Sequence, residues 1–295
     1  MNLSEVTTRN LRVAGLDPAE SEVLVRAALA EDLRYGPDAT TEATVSEHSV
    51  ATAAFNTRVS GVLAGLPLVL AVLDQVVGAD RYRVEHAGVD GSPVGSGESV
   101  LTVRAPVRIL LTAERTALNL LTHLSGVATA TAAWVEAVAG TGCRIRDSRK
   151  TLPGLRVPQK YAVRCGGGEN HRFGLGDAML VKDNHVAAAG SPGAALRACR
   201  EHAPGLPLEV EVGDLDELDE VLRQRPGLVL LDNFTPEQCA EAVRRAGAVS
   251  PETELEASGG LTLDRAADYA DTGVHCLAVG ALTHSAPVLD IGLDM

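Results

Sequence analysis

From residue 142 onward the chain repeats one pattern: a short apolar run, a polar or glycine-containing turn, an amphipathic stretch, then another apolar run. The apolar runs are CRIRD (143–147), AMLVK (178–182), LEVEV (208–212), LVLLD (228–232), LEAS (255–258) and CLAVG (276–280). Strands that alternate with helices pair in parallel, because a parallel connection needs a crossover long enough to hold a helix. Runs that are apolar nearly throughout suit strands buried on both faces. Several of the intervening helices have readable starts. Ser191, Asp214, Thr235 and Thr262 supply N-cap oxygens, and Pro192 and Pro236 follow two of them at the first helical position. Six such strands, with room for a seventh, fit a (β/α) barrel better than an open doubly wound sheet, which periodicity alone leaves as the alternative.

The first part of the chain has a different texture. Residues 18–33 read as a helix with Asp17 as N-cap and Pro18 at the first position, and 66–77 read as another. Strand-like pieces at 50–59, 81–86 and 98–105 surround the turn-forming segment GVDGSPVGSG at 88–97. This pattern predicts an α+β unit with a small antiparallel sheet. After Pro106 a long helical region links it to the barrel, with a break or bend expected near Gly126.

The strand ends carry the chemistry. On its C-terminal side each expected strand meets polar or glycine residues: Asp147-Ser148-Arg149-Lys150, Lys182-Asp183-Asn184-His185, Glu209 with Glu211, Asp232-Asn233, Ser258-Gly259-Gly260 and Gly280-Ala281. In parallel α/β architectures that face holds the active site. One polar strand end is an ordinary solvated end; six in a row point to a site. Between Arg144 and His185 there are nine Lys or Arg residues and four acids, inside a chain whose formal net charge is −13. A local positive patch in an acidic protein focuses anions into one cleft. Arginine suits bidentate binding of carboxylate or phosphate, and lysine acts as a point charge. His171-Arg172, read alone, is an ordinary loop pair.

Ser258-Gly259-Gly260 ahead of the helix expected from Thr262 offers backbone N–H groups to a phosphate, with Gly280-Ala281 able to complete the seat. No P-loop signature is present. Glu211 and Asp232, at the ends of successive strands, form the kind of carboxylate pair that holds Mg²⁺ together with substrate phosphates. Read blandly, they balance the nearby basic groups.

The acidic balance and an aromatic content of 3% argue against a nucleic-acid surface or an anionic membrane partner. Five widely spaced cysteines without a C-x-x-C suit reduced thiols. No signal-peptide pattern or membrane-length apolar run is visible, so a cytoplasmic protein is expected.

The run DSRKTLPGLRVPQKYAVRCGGGENHRFGLGDAMLVKDNH (147–185) resembles the signature of the quinolinate phosphoribosyltransferases. In the same order, ERTALNLLTHLSG (114–126), EVEV (209–212), LLDNF (230–234), SGG (258–260) and VGALTHSAPVLDIGLDM (279–295) are similar to that family. One departure is Ser148, where the family usually has threonine; both carry a hydroxyl. The resemblance implies an N-terminal α/β sandwich domain over 1–125, with 283–295 able to join it. It also implies a C-terminal α/β barrel of fewer than eight strands, of the type II phosphoribosyltransferase kind, over 126–282. It further implies transfer of phosphoribose from phosphoribosyl pyrophosphate (PRPP) to quinolinate with loss of CO₂, dependence on Mg²⁺, and a homodimer whose sites are completed by the partner subunit. Arg149, His171, Arg172 and Lys182 would then hold the quinolinate carboxylates, with Arg115 arriving across the dimer. Lys150 would contact PRPP, Glu211 and Asp232 would handle Mg²⁺ and the ribose, and Ser258, Gly259, Gly260, Gly280 and His284 would lie against phosphate. The alternatives are a related phosphoribosyltransferase for another carboxylated or anionic substrate, a Schiff-base barrel lyase using Lys182, and a non-catalytic anion-binding protein.

Overall fold

The structure is a computed structural model that describes residues 3–78 and 81–295. The chain divides into two compact units, one made of residues 1–132, 152–167 and 285–295, the other of 133–151 and 168–284.

The first unit opens with helices α1 (Glu5–Val13), α2 (Pro18–Asp32) and α3 (Ala39–Thr44), started by Ser4, Asp17 and Asp38, whose side chains accept backbone N–H groups. There follow β1 (Val50–Thr57), β2 (Gly61–Val62), α4 (Leu66–Val77), β3 (Arg83–Ala87), β4 (Pro93–Val94) and β5 (Ser99–Pro106). β1 lies between β5 and the C-terminal strand Ile291–Asp294, antiparallel to both, and β3 pairs with β5. α4 (LPLVLAVLDQVV) is buried on nearly every side, so its only acid must be satisfied internally. Asp74 accepts from the Ser4 N–H at 2.7 Å and from the Tyr82 hydroxyl at 2.8 Å.

α5 (Val107–Ala137) is one uninterrupted helix, contrary to the break expected near Gly126. Gly126 serves a close approach. A Cβ there would lie 2.1 Å from the Pro287 carbonyl oxygen, so only glycine lets the C-terminal segment cross the helix at this point. Gly126→Ala is therefore expected to destabilise the protein by about 1–3 kcal/mol, seen as a lower thermal midpoint. An unchanged midpoint would show that the segment does not pack there.

In this division α6 (Arg156–Cys165) belongs to the first unit. Its polar side chains bond to other residues of that unit. The Gln159 Oε1 accepts the Leu152 N–H, its amide lies 2.8 Å from the His123 ring, and the Tyr161 hydroxyl donates to Asp90 at 2.7 Å.

The second unit holds β6 (Arg144–Arg146), β7 (Met179–Val181), β8 (Leu208–Val212), β9 (Leu228–Asp232), β10 (Glu254–Ser258) and β11 (Cys276–Ala278). All pair in parallel, in the order β6-β11-β10-β9-β8-β7. Between them run α7 (Asp183–Ala189), α8 (Pro192–His202), α9 (Leu215–Leu222), α10 (Pro236–Val249), α11 (Ala266–Ala270) and α12 (Ala281–His284). Ser191, Asp214 and Thr235 cap α8, α9 and α10 as expected, with Gln238 closing a capping box on Thr235. Thr262 does not cap. It precedes a three-residue 3-10 turn, and α11 is only five residues long, so no strong helix dipole aims at the Ser258 turn.

The sheet curls on itself. Arg146 on β6 reaches Glu256 on β10, and His171, whose segment is joined to β6 through the Arg146–Glu169 bridge, reaches Glu209 on β8. Inward side chains of alternate strands thus share one layer, as in barrel interiors. The unit is a six-stranded α/β barrel.

Candidate active site

A cleft of about 280 Å³ opens at the carboxyl ends of the barrel strands, and its lining draws on all six. It includes Ser148, Arg149 and Lys150 after β6, His171 and Arg172, Lys182 after β7, Glu211 on β8, Asp232 on β9, Glu256 and Ser258 on β10, and Gly280 after β11. Of the candidate site residues, Arg149, Lys150, His171, Arg172, Lys182, Glu211, Asp232, Ser258 and Gly280 line this cleft, whereas Gly259, Gly260 and His284 are not among its lining residues. A larger hollow of about 630 Å³ lies in the first unit, where Asp90, Tyr161 and Arg164 are already engaged. There Asp90 caps the start of α4 and Arg164 donates to the Ala14 carbonyl.

Positive charge gathers on one side of the cleft. The Arg172 guanidinium donates from Nη1 to the Ala178 carbonyl at 3.0 Å, while its Nε and the Nε of Arg149 are buried without a protein partner. Burial pulls the Arg172 pKa below its ordinary value, and the Arg149 charge pulls it further down. Two mutually repelling guanidiniums with unspent donors have the chemistry to take a carboxylate-bearing anion. The loop that follows is tied by Asp177, which accepts the Phe173 and Gly174 N–H groups. These bonds hold the Asp177 carboxyl below the usual carboxylate range.

The other side suits phosphate and a hard cation. Gly259 and Gly260 have φ values of +89° and +60°, and a Cβ on Gly259 would lie 2.2 Å from Asn233 Oδ1. Asn233 itself has φ +58°, donates its backbone N–H to the Ser258 carbonyl, and donates from Nδ2 to Asp232. These strained positions bring backbone against the ends of β9 and β10. Gly280 is equally crowded: a Cβ would meet Lys150 Cδ at 2.9 Å, Ser148 Oγ at 3.3 Å and His284 Nε2 at 3.4 Å. Ser148 Oγ accepts the Lys150 N–H, and Thr283 donates to the Lys150 carbonyl. Lys182 is paired with Glu211 on the neighbouring strand.

Arg115 is not among the residues lining this cleft. It is exposed on α5 in the first unit, in a groove with Asn119, His123 and Leu155.

Several residues that the sequence reading left without a role lie beneath the cleft. Asp147, fully buried, accepts from Asn170 Nδ2 at 2.6 Å and from the His171 N–H at 2.8 Å. Arg146 pairs with Glu256 at 2.5 Å, and His171 Nε2 lies 2.7 Å from Glu209 Oε2. Burial and the charge of Glu209 push Glu256 up to about 7, against the pull of Arg146. The available signal was charge at every second position of a strand: Arg144 and Arg146, Glu209 and Glu211, Glu254 and Glu256.

The fold and cleft define an α/β-barrel class whose strand-end site gathers guanidinium, lysine and carboxylate side chains with Ser258 and Gly280 in one cleft. Residues 127–294 match the description "Quinolinate phosphoribosyl transferase, C-terminal domain", and residues 38–125 match the corresponding N-terminal domain. The chain is 59% identical to the nicotinate-nucleotide pyrophosphorylase [carboxylating] of Mycobacterium leprae, covering 92% of this chain and 95% of that protein. It is 38% identical to the human protein of the same name, covering 95% and 93%. The structure of the nicotinate-nucleotide pyrophosphorylase from Francisella tularensis superposes with a TM-score of 0.88 at 36% identity, covering 94% of this chain and 96% of that one. The chain belongs to the quinolinate phosphoribosyl transferase family.

Proposed function

We propose that the protein transfers phosphoribose from PRPP to the ring nitrogen of quinolinate and releases CO₂, forming nicotinate mononucleotide and pyrophosphate. The observation that carries this reading is the division of one cleft into a guanidinium side and a glycine-turn side. Quinolinate brings two carboxylates for Arg149, Arg172 and Lys182, and PRPP brings phosphates for Lys150, Ser258, Gly259, Gly260, Gly280 and His284. Arg115, exposed and outside the single-chain cleft, is assigned to the site of a partner subunit in a homodimer.

The chemistry follows from placement. The bond between the anomeric carbon and pyrophosphate breaks as the ring nitrogen approaches, leaving an oxocarbenium-like ribose at the transition state. Catalysis then rests on alignment and on stabilising the departing negative charge, which Lys150 and the backbone of the Ser258 turn can do. The product ring is cationic, so the adjacent carboxylate can leave as CO₂ while the ring holds the remaining electron pair until it takes up a proton. No general base is required.

Glu211 and Asp232 fit Mg²⁺ as oxygen donors at the ends of neighbouring strands, with substrate phosphates completing the shell. Bound there, the ion would neutralise pyrophosphate. Glu211 is engaged with Lys182, so loading the cleft with a dianion and a cation would part that pair and give each member a new partner. The same pairing speaks against a Schiff-base lyase, which needs a free amine at Lys182.

The test is an assay of quinolinate, PRPP and Mg²⁺ that detects released CO₂, with nicotinate in place of quinolinate as the comparison. Turnover should require the second carboxylate and should stop on chelation of the metal, returning when Mg²⁺ is restored. Equal turnover of nicotinate and quinolinate would overturn the assignment in favour of another phosphoribosyl acceptor.

A further inference from the structure

One residue, Thr151, separates Lys150 from a tight turn at residues 152–155. Pro153 and Gly154, the latter at φ +77°, occupy the centre of that turn, and the Leu155 N–H closes it on the Leu152 carbonyl at 3.1 Å. The Leu155 carbonyl accepts the Gln159 N–H at 2.9 Å in the first turn of α6. The Leu152 N–H, which can only donate, goes to Gln159 Oε1 at 3.0 Å. That bond fixes which end of the Gln159 amide is which. Its NH2 group then faces the His123 ring nitrogen at 2.8 Å, and burial lowers the His123 pKa, favouring a ring that accepts. Gln159 is fully buried, whereas Leu152 is 38% exposed, so a buried amide holds main chain that would otherwise be free at the surface.

On the other side of Thr151, the Lys150 carbonyl accepts from the Thr283 hydroxyl at 2.9 Å, and the Lys150 N–H donates to Ser148 Oγ. A chain fixed at one point pivots about it; a chain fixed again two residues later does not. We propose that Gln159 is a positioning residue for phosphoribosyl transfer: by holding the Leu152 N–H it supplies the second fixed point that aims Lys150 at the phosphates of PRPP. Gln159 acts through the main chain of the turn and Thr151, not on a substrate. The inference rests on the reading of Lys150 as a PRPP contact.

Gln159→Met keeps the length of the side chain and removes both of these hydrogen bonds. In the full-length protein it should lower kcat/KM for PRPP about tenfold. Gln159→Glu still accepts the Leu152 N–H and should stay within about threefold of the parent. The deciding comparison is a double-mutant cycle with Lys150→Ala. Adding Gln159→Met to Lys150→Ala should cost less than about twofold more, because the side chain it aims is already gone. A merely structural role would lower the thermal midpoint and give losses that multiply. Hydrogen exchange without substrate supplies an independent arm. The Leu152 amide should be protected in the parent and in Gln159→Glu, and should exchange about tenfold or more faster in Gln159→Met. A freely exchanging Leu152 in the parent, losses that multiply in the cycle, or a Gln159→Glu variant as impaired as Gln159→Met would overturn the proposal. If Gln159→Met does not fold, the parent's exchange and the Gln159→Glu kinetics still decide the matter. If Lys150→Ala leaves the use of PRPP unchanged, the reading of the cleft falls and this proposal with it. If Lys150→Ala collapses that use and the losses multiply, this proposal alone falls.

Discussion

Arg172→Ala should raise the quinolinate KM by about 100-fold or more, with the PRPP KM nearly unchanged. The guanidinium has a buried Nε with no protein partner and lies beside the like charge of Arg149, and in the proposed reading that donor serves the bound anion. The same circumstances predict the sign of the stability effect. Removing a cation disfavoured by burial and by Arg149 relieves repulsion, so the unliganded variant should melt no lower than the parent. Arg172→Lys should not rescue binding, because an ammonium cannot keep the Ala178 carbonyl contact and present a planar fork to the carboxylate. A modest KM change in Arg172→Ala, or full rescue by lysine, would move the quinolinate seat elsewhere in the cleft.

Asp232→Ala and Lys150→Ala should each lower kcat/KM for PRPP by about two to three orders of magnitude. Neither side chain supports the core: Lys150 is exposed, and Asp232 is half-buried at a strand end, where it accepts from Asn233. Thermal midpoints and circular dichroism spectra should therefore stay close to those of the parent. Two folded variants with full turnover would show that the glycine-turn side of the cleft does not receive PRPP.

Much of this was legible in the sequence because local rules suffice for it. Proline after Ser191 and Thr235 starts a helix by its own chemistry, and six apolar runs separated by crossovers specify parallel strands. Strand-end polar residues such as Lys150, Lys182 and Asp232 could be read as one face because the chain direction of parallel strands is common to all.

What escaped depends on contacts distant in sequence. Gly126 looked like a helix breaker, yet its reason lies at Pro287. The segment containing Gln159 and Tyr161 sits within the signature run, but its side chains bond to His123 and Asp90 of the first unit. Thr262 had the residue type of a cap but not the geometry, because the chain after Gly260 forms a 3-10 turn. The interior charges were masked by their apolar neighbours. LEVEV reads as a buried strand, and only closure of the barrel reveals that Glu209 faces His171 rather than solvent.

The strand Ile291–Asp294 has a consequence for how the protein is made. It forms an edge of the first unit's antiparallel sheet, pairing with β1, while Arg58 and Asn56 both hold Asp294. A ribosome synthesises β1 and β5 early, then more than a hundred residues of barrel, and only afterwards the strand that completes the sheet. The barrel residues can therefore begin to fold while the earlier sheet still exposes an unpaired edge. A chain stalled or cut before Ile291 would keep that edge open to pairing with other chains.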